Sequence, residues 1–444
     1  MNSKFKSGLS IALAILMCAS CVLLAGCGEK KGGSSKKKIT GEDNTDNTAY
    51  SGISKYEGTT IKFATWIDHT EGEGAAPMAS FAEKYNINIE LVSVPQGDYI
   101  TKVSGMIASG QSPDMVVDNL RYPLVFQICE PLDNIKSIDL KDEFWDPQVT
   151  EQGSINGVHY LLNSKNSPWS YRYMVYYNKK LFENNGFKTP SEYVEENNWT
   201  IDTFKKCAKQ IANLGSDIIG ASVRLQCAGA IWGKQIITRD VNKFINNSTD
   251  ATLINAYKWA MDGKDEGIFT TDQRSDQLGK NKMGMEILGD FGSRANGSYS
   301  TADPDSMGFV PMPKVKASDA NYPQAQSWRA YGVCKGSKNP EATGYFLRWF
   351  LDFDNYETDN MFKSKEAEEF YHEIRKMDGD VMNIVAQGIM DLSGGEGSFQ
   401  SLFGEITGST GAQVAVNMKS LSNKIDDCIN KADNLIQDVI DSQS

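Results

Sequence analysis

Histidine and cysteine side chains carry much of the acid–base, nucleophilic and metal chemistry of proteins, and in this chain they are few and scattered. The three histidines are His69, His159 and His372, and no H-E-x-x-H, G-x-S-x-G or G-x-x-x-x-G-K-[ST] string occurs. Past residue 27 an odd number of cysteines remains, without the repeated short spacing of a metal site. Two of them, Cys207 and Cys227, could form a disulfide in an exported chain. The residues therefore predict neither an enzyme nor a bound metal ion or organic cofactor.

Cys27 is the cysteine whose surroundings indicate a reaction. A basic head precedes an apolar stretch from Leu9 to Leu24, and small residues then lead directly to the thiol in Leu24-Ala25-Gly26-Cys27. The stretch is long enough for a signal peptide and short for a membrane span. The string Leu24-Ala25-Gly26-Cys27 resembles the bacterial lipobox. This resemblance implies a signal peptide over 1–26 and, on Cys27, a diacylglycerol thioether with an N-acyl chain such as palmitate. An ordinary secretory signal is the alternative.

The segment after Cys27 has the composition of a linker. Residues 28–50 hold almost no large apolar side chain and cannot bury enough surface to fold, so we expect a disordered, lipid-anchored tether over 27–53. No second apolar run reaches the length of a membrane span, which would leave the rest of the chain on one side of the membrane. The net charge of −12 disfavours nucleic acid as a partner.

Hydrophobic periodicity predicts alternating strands and helices from about residue 54 onward. Ile61 to Trp66 is typical of a strand, a helix follows from Pro77, and residues 87–94 alternate as a second strand. A further helix ends at Gly110, before a short buried strand at 114–117. Later helices are predicted after Thr200, from 339–340 and over 412–440. This order favours an α/β fold with parallel pairing and helices on the sheet faces.

A series of short motifs then follows in an order that resembles the extracellular solute-binding proteins of bacterial ABC importers, family 1, the group that includes maltose-binding protein. The motifs after the opening strand are M-I-A-S-G-Q-S-P-D (106–114), N-G-V-H-Y (156–160), Y-N-K-K-L-F (177–182), W-T (199–200), M-G-F-V-P-M-P (307–313) and G-S-K-N-P-E-A (336–342). The W-T pair is reversed relative to the usual order. The resemblance covers nearly the whole mature chain.

The resemblance implies a bilobed, periplasmic-binding-protein-like architecture of two discontinuous α/β lobes joined by hinge crossings. The first lobe is expected at 54–167 plus 310–353, and the second at 170–308 plus 356–444. Hinges are expected near 167–170, 308–311 and 352–355. Such a protein would act as a lipid-anchored monomer on the extracytoplasmic face of the cell membrane, closing on a solute and delivering it to ABC permease subunits.

Family position also implies which side chains face the cleft. The expected ligand-binding residues are Trp66, Asp68, Asn119, Tyr122, Trp169, Tyr171, Trp232, Asp290, Phe291, Trp328 and Arg329. This set combines flat aromatic rings with carboxylate, amide and guanidinium groups, which suits the apolar C–H face and the hydroxyl groups of a mono- or oligosaccharide. A peptide, a polyamine or another small solute remains the alternative, as does a ligand sensor for a membrane receptor.

Overall fold

The computed structural model describes residues 48–69, 74–118, 122–293, 298–299, 302–356, 361–377, 381–383, 386–393 and 398–443. The predicted signal peptide, residues 27–47 of the predicted tether, including Cys27, and Asn119 lie outside the described residues. Residues 48–53 of the predicted tether are described, and Ile53 is buried in the core. Within these ranges, no helix combines the length and the apolar character that a membrane crossing requires.

Strands and helices alternate along the chain, as the periodicity predicts. The strands are β1 Thr60–Thr65, β2 Asn88–Ser93, β3 Met115–Asp118, β4 Ser154–Ile155, β5 Val158–His159, β6 Ser170–Asn178, β7 Ile219–Ser222, β8 Ile237–Asp240, β9 Lys243–Asn246, β10 Phe269–Thr270, β11 Met283–Gly289, β12 Met307–Val310, β13 Gln324–Trp328, β14 Ala330–Val333 and β15 Val381–Asn383. The helices are α1 Ala75–Tyr85, α2 Tyr99–Ala108, α3 Pro147–Gln152, α4 Lys179–Glu183, α5 Pro190–Glu195, α6 Ile201–Ala212, α7 Leu225–Ile231, α8 Ala251–Asp265, α9 Ser275–Gly279, α10 Pro340–Phe350, α11 Lys365–Ile374, α12 Ala386–Asp391, α13 Phe399–Thr407 and α14 Val414–Asp441.

The first lobe is the part of the chain built on a four-stranded sheet with the order β14-β3-β1-β2. Strand β1 is parallel to both β2 and β3, whereas β14 runs antiparallel to β3. The β-α-β unit predicted from Ile61 onward is confirmed, with Phe81 of α1 and Phe63 of β1 buried in one core. Helix α1 begins at Ala75, slightly before the expected start at Pro77.

The second lobe is built on a seven-stranded sheet. Six of its strands follow the order β10-β7-β11-β6-β13-β15, and the seventh, β12, pairs with β6. The long strand β6 pairs with β11 along one edge, and with β12 and β13 in turn along the other. The predicted helices are present. The backbone N–H of Thr203 donates to the Thr200 side chain and caps α6, and α14 spans Val414–Asp441.

Three segments of chain run side by side where the two lobes join, and we call this place the crossing. The backbone N–H of Arg329 donates to the carbonyl of Trp169 at 3.2 Å, and Leu162 forms a bridge with Tyr331. The third segment is tied in by Tyr356, whose hydroxyl accepts a 2.9 Å hydrogen bond from Trp169 Nε1. The crossing therefore consists of residues 162–170, 328–331 and 351–356.

The path of the chain after β12 differs from the predicted lobe boundary at 308–310. Residues 324–328 form β13, and β13 pairs with β6 in the second sheet although it falls in the 310–353 range expected in the first lobe. The prolines at 311 and 313 follow the end of β12, but the chain stays in the second lobe after them. The chain passes to the first lobe at 328–330, and the lobe boundaries as a whole remain a prediction.

Asp114 gives a physical reason for two of the motifs. Its side chain is 3 % exposed and accepts hydrogen bonds from Lys62 N, Ser337 Oγ, Lys338 N and Asn339 N at 2.6 to 3.1 Å. The carboxylate thus binds the G-S-K-N-P-E-A segment, at the start of α10, to the edge of β1. The contact is structural and lies at the amino end of β1, away from the crossing.

Cys207 and Cys227 are both free and buried, so the disulfide that the sequence leaves open is not formed here. Cys207 lies on α6 and Cys227 on α7. Burial raises the pKa of the Cys207 thiol to about 12, which keeps it protonated and unreactive at neutral pH. Both residues act as small core side chains.

Candidate ligand-binding site

The carboxyl ends of strands from both lobes meet the crossing. In the first lobe β14 starts at Ala330, opposite Asp118 at the end of β3. In the second lobe Tyr173, near the start of β6, pairs with Gly289 at the end of β11. Sheets of this kind bind ligands outside the carboxyl ends of their strands. The predicted site residues that the register places at these edges are Trp66, Asp68, Trp169, Tyr171, Asp290 and Arg329.

Trp169 forms part of the wall of the crossing rather than a free stacking platform. Its side chain is only 5 % exposed, and its ring stacks on Phe350 at a centroid distance of 5.6 Å and an angle of 17°. The Arg329 guanidinium lies 5.4 Å from the centre of the same ring. A saccharide therefore has little access to this indole. The main contribution of Trp169 to a site is to hold Arg329 in place.

Arg329 occupies the centre of the predicted set. Its guanidinium carbon lies 5.4 Å from the ring centre of Tyr171, the same distance as from that of Trp169, so two rings flank the charge. Its Nε and Nη1 atoms are buried and have no hydrogen-bond partner among the described residues. The side chain as a whole is half-buried.

His69 packs beside this group, although the prediction did not include it. It is 1 % exposed, lies parallel to Phe63 at 5.6 Å and meets Trp169 edge-on at 5.1 Å. Burial lowers the pKa of His69 to about 4, and the charge of Arg329 acts in the same direction against that of Asp68. The imidazole is therefore neutral at physiological pH.

Asp290 and Arg375 form an ion pair on the second-lobe side. Asp290 is fully buried, and its Oδ2 lies 3.0 Å from Arg375 Nη2. The same nitrogen donates to the Ser170 carbonyl at 2.7 Å, and the guanidinium sits 3.9 Å above the ring of Tyr371. The pair links α11 and the end of β11 to the crossing. Asp290 therefore lies beside the crossing but is already paired within the protein.

The sequence analysis did not identify Arg172 and Arg375 as residues of the candidate site. Arg172 Nη1 donates to the side-chain oxygen of Gln326 across the β6–β13 pair. Burial lowers the pKa of Arg172, and the charge of Arg375 lowers it further. Arg172 could have been found, because it alternates with the aromatic residues at 171 and 173. Arg375 follows α11 without any motif, and its role depends on a long-range contact.

Two further predicted residues lie outside the crossing contacts. Tyr122 is buried, donates to the Gln152 carbonyl at 3.1 Å and packs edge-on against Phe244. Trp232 follows the last residue of α7 and packs on Trp259 of α8 at 5.4 Å. Because a helix rises about 1.5 Å per residue, Trp232 lies roughly 10 Å along α7 from the end that adjoins the carboxyl edge.

Three further predicted residues lie at the end of a strand or just after it. Trp66 directly follows β1, is half-buried and meets Tyr99 edge-on at 4.9 Å. Trp328 pairs through its backbone with Ser170, and Phe291 follows Asp290, but the side chains of Trp328 and Phe291, like all of Asn119, lie outside the described structure. Among the described residues, no cluster of three or more His, Cys, Asp or Glu side chains could hold a metal ion.

The family follows from comparison with known sequences. The model of the bacterial extracellular solute-binding proteins matches residues 76–360, well over half of the chain. The chain therefore belongs to the bacterial extracellular solute-binding protein family. A search of curated protein sequences gives no significant match.

Solved structures show the same fold at low sequence identity. A substrate-binding protein of Listeria monocytogenes in complex with cycloalternan is 16 % identical, with a TM-score of 0.60 over 84 % of this chain and 98 % of that one. The galacto-N-biose-/lacto-N-biose I-binding protein of Bifidobacterium longum is 13 % identical, with a TM-score of 0.63 over 84 % and 97 %. The GacH receptor of Streptomyces glaucescens is 14 % identical, with a TM-score of 0.57 over 86 % and 98 %.

The predicted family and α/β bilobed fold are thus confirmed. The family and the similar structures are binding proteins rather than enzymes, and the family works outside the cytoplasm.

Proposed function

We propose that the protein captures a mono- or oligosaccharide between its two lobes and delivers it to the permease subunits of an ABC importer. The similar structures include proteins described with cycloalternan, lacto-N-biose and acarbose. At 13 to 16 % identity these support the fold and make sugars the first ligands to test.

One observation carries the proposal more than the others. Aromatic and polar side chains from both lobes converge at the carboxyl ends of strands beside the crossing, with Tyr171 and Trp66 half-buried and Arg329 between two rings. Such a surface suits a ligand with one apolar face and many hydroxyl groups. The proposed binding residues are the predicted ones at these edges, Trp66, Asp68, Tyr171 and Arg329, and Arg172 and Arg375 support their second-lobe side. Tyr122 and Trp232 pack away from the crossing.

Hinge motion at the crossing would couple binding to shape. Rotation about the three adjacent segments would bring the carboxyl edges of the two sheets together around the solute. A ligand shifts this equilibrium by making contacts in the closed form that the open form lacks. The permease would then select the closed form, and no bond of the solute would be made or broken on this protein.

The proposal also includes the membrane anchor. Lipid on Cys27 would hold a monomer on the extracytoplasmic face, and the lysine-rich start of the tether would add attraction to an anionic surface, about 1 kcal/mol per lysine. A diacyl cysteine with a basic patch provides the two signals that stable anchoring needs.

A thermal-shift screen tests the proposed ligand class. Residues 28–444 are melted with mono- and oligosaccharides, and with amino acids, peptides and polyamines in parallel. A ligand at 100 times its Kd stabilises the folded state by about 2.7 kcal/mol, enough for a clear rise in Tm. A shift with one glycan series supports the proposal, whereas a response confined to peptides or polyamines replaces the saccharide by that class.

A further inference from the structure

Arg329 differs from the other two arginines near the crossing, each of which donates to a carboxylate or amide side chain of the protein. Arg375 pairs with Asp290 at 3.0 Å, and Arg172 donates to Gln326. For Arg329 no carboxylate of the described residues lies within ion-pair distance, and its Nε and Nη1 atoms are buried without a hydrogen-bond partner there. Removing a guanidinium from water without providing an anionic partner is unfavourable.

The imidazole of His69 belongs to the same group of side chains and also has an unpaired nitrogen. His69 is 1 % exposed, and its Nε2 atom has no hydrogen-bond partner among the described residues. Burial lowers the pKa of His69 and the charge of Arg329 lowers it further, which places the imidazole near the guanidinium. The fully buried Tyr331 is a neutral neighbour of Arg329. Buried polar atoms are rarely left unpaired, so the unpaired nitrogens of Arg329 and His69 point to a ligand.

The neighbours of Arg329 determine the charge of that partner. Its flanking groups are the rings of Trp169 and Tyr171, and the nearby imidazole of His69 is neutral at physiological pH because its pKa is about 4. One unpaired positive charge is matched by one negative charge. A planar guanidinium also matches the geometry of a carboxylate. With a net charge of −12, the protein does not attract anions from a distance, so recognition has to be local.

We infer that the saccharide of the proposed function carries a carboxylate, as in a uronic acid unit, and that Arg329 binds this group while Tyr171 and Trp169 hold the guanidinium in place. The inference rests on the proposed function and narrows its substrate class from saccharides in general to acidic ones.

The test compares three ligands that differ only at the acid group. Calorimetric titration of residues 28–444 measures Kd for a digalacturonide, for its methyl ester and for the neutral digalactoside, and galactose 1-phosphate serves as a different anion. The wild type is expected to bind the digalacturonide at least tenfold more tightly than the ester and the neutral sugar. Arg329→Gln should remove this preference while changing the Kd of the neutral sugar less than threefold.

Two further variants keep the result interpretable. Arg329→Lys retains the charge and serves if Arg329→Gln fails to fold; it should keep part of the preference. Arg348→Gln removes a guanidinium that is paired with Asp142 at 2.6 Å on α10, and should leave the preference intact.

The outcomes separate the inference from the proposed function. Equal binding of acid, ester and neutral sugar by the wild type, or an equal loss of all three in Arg329→Gln, overturns the inference and leaves saccharide capture standing. Tighter binding of the phosphate than of the digalacturonide also overturns it. If the wild type binds no saccharide in this set or in the thermal-shift screen, both the inference and the proposed function fail.

Discussion

Buried charged and polar side chains at the two ends of β1 differ in how many of their hydrogen bonds are made. At its amino end the Asp114 carboxylate accepts four hydrogen bonds and joins two motifs. At its carboxyl end His69 and Arg329 keep buried nitrogens without partners among the described residues. A buried group that makes all of its hydrogen bonds is typical of a structural role, whereas buried groups without hydrogen-bond partners are typical of a binding site.

Asp114→Asn should lower the free energy of unfolding by about 2 to 3 kcal/mol, because the amide loses the charge and one of the acceptor oxygens that serve four donors. Urea unfolding measures the change. Asp217→Asn, which breaks an exposed ion pair with Lys282, is the matched control and should leave the stability nearly unchanged. Equal effects of the two substitutions would contradict a structural role for Asp114.

The pKa of His69 makes stability depend on pH in a definite direction. The folded-state pKa is about 4 and the ordinary value is 6.5, so the unfolded chain takes up the proton first as the pH falls. The contribution of the neutral imidazole is therefore complete above about pH 6.5 and is lost as the pH falls towards 4. Between pH 7.5 and 5 the wild type should lose about 2 kcal/mol more than His69→Phe, which keeps a ring in the stack. Urea unfolding of both proteins at the two pH values measures this, and identical slopes would show that His69 is not buried in the folded protein.

Residue types indicate which side chains stand at the crossing, but they do not indicate how accessible those side chains are. Tryptophan, tyrosine and arginine at the crossing were expected from the motif order. That Trp169 is covered by Phe350 follows from a contact between distant parts of the chain, which no local pattern reveals. The unpaired charge of Arg329 is likewise visible only once its surroundings are known.

Strands and helices were predicted well where their periodicity is strong and local. The β-α-β unit from β1 to β2, the cap of α6 at Thr200 and the long amphipathic α14 all follow from short-range patterns. The path between β12 and β14 did not, because prolines at 311 and 313 resemble the end of a lobe. The hydrogen bonds of β13 to β6 are long-range, and they decide where the chain crosses.

The β8–β9 hairpin provides a second connection between the lobes, away from the crossing. Arg239 of this hairpin donates to the carbonyls of Gln152 and Ser154 in the first lobe. The backbone N–H of Asn156 in turn donates to Asn242 Oδ1 at 3.0 Å. Together with the hydrogen bonds that Gln443 donates to the Ile155 carbonyl and the Tyr160 hydroxyl, these contacts join the two lobes beside β4 and β5.

Arg239→Ala should therefore favour a wider separation of the lobes. We expect a larger radius of gyration of the ligand-free protein in small-angle X-ray scattering, and a loss of about 1 to 3 kcal/mol of stability. Arg274→Ala removes an arginine whose ion pair with Asp272 is exposed and lies within the second lobe, and should change neither quantity. An unchanged radius in Arg239→Ala would show that the hairpin does not restrain the lobes.

For the molecule as a whole, the family and the bilobed fold agree with the motif order, which was informative because several weak motifs occur in one sequence. The anchor depends on the lipobox resemblance alone. It concerns residues outside the described structure, so it needs its own experiment.

Cys27→Ala should abolish lipidation and release the protein from the membrane fraction, because the thiol that accepts the diacylglycerol is lost. Metabolic labelling with a fatty acid and fractionation of the producing cells measure both effects. Cys207→Ala serves as the control, since that thiol is buried on α6. An acyl label retained by Cys27→Ala would contradict the assigned attachment point.

Hydrogen exchange of residues 28–444 with and without the saccharide found in the screen tests capture between the lobes most directly. The account predicts slower amide exchange at the carboxyl ends of β1 and β11, at the start of β6 and at 328–331, in both lobes at once. Protection confined to one lobe, or located at the amino ends of the strands near Asp114, would contradict it.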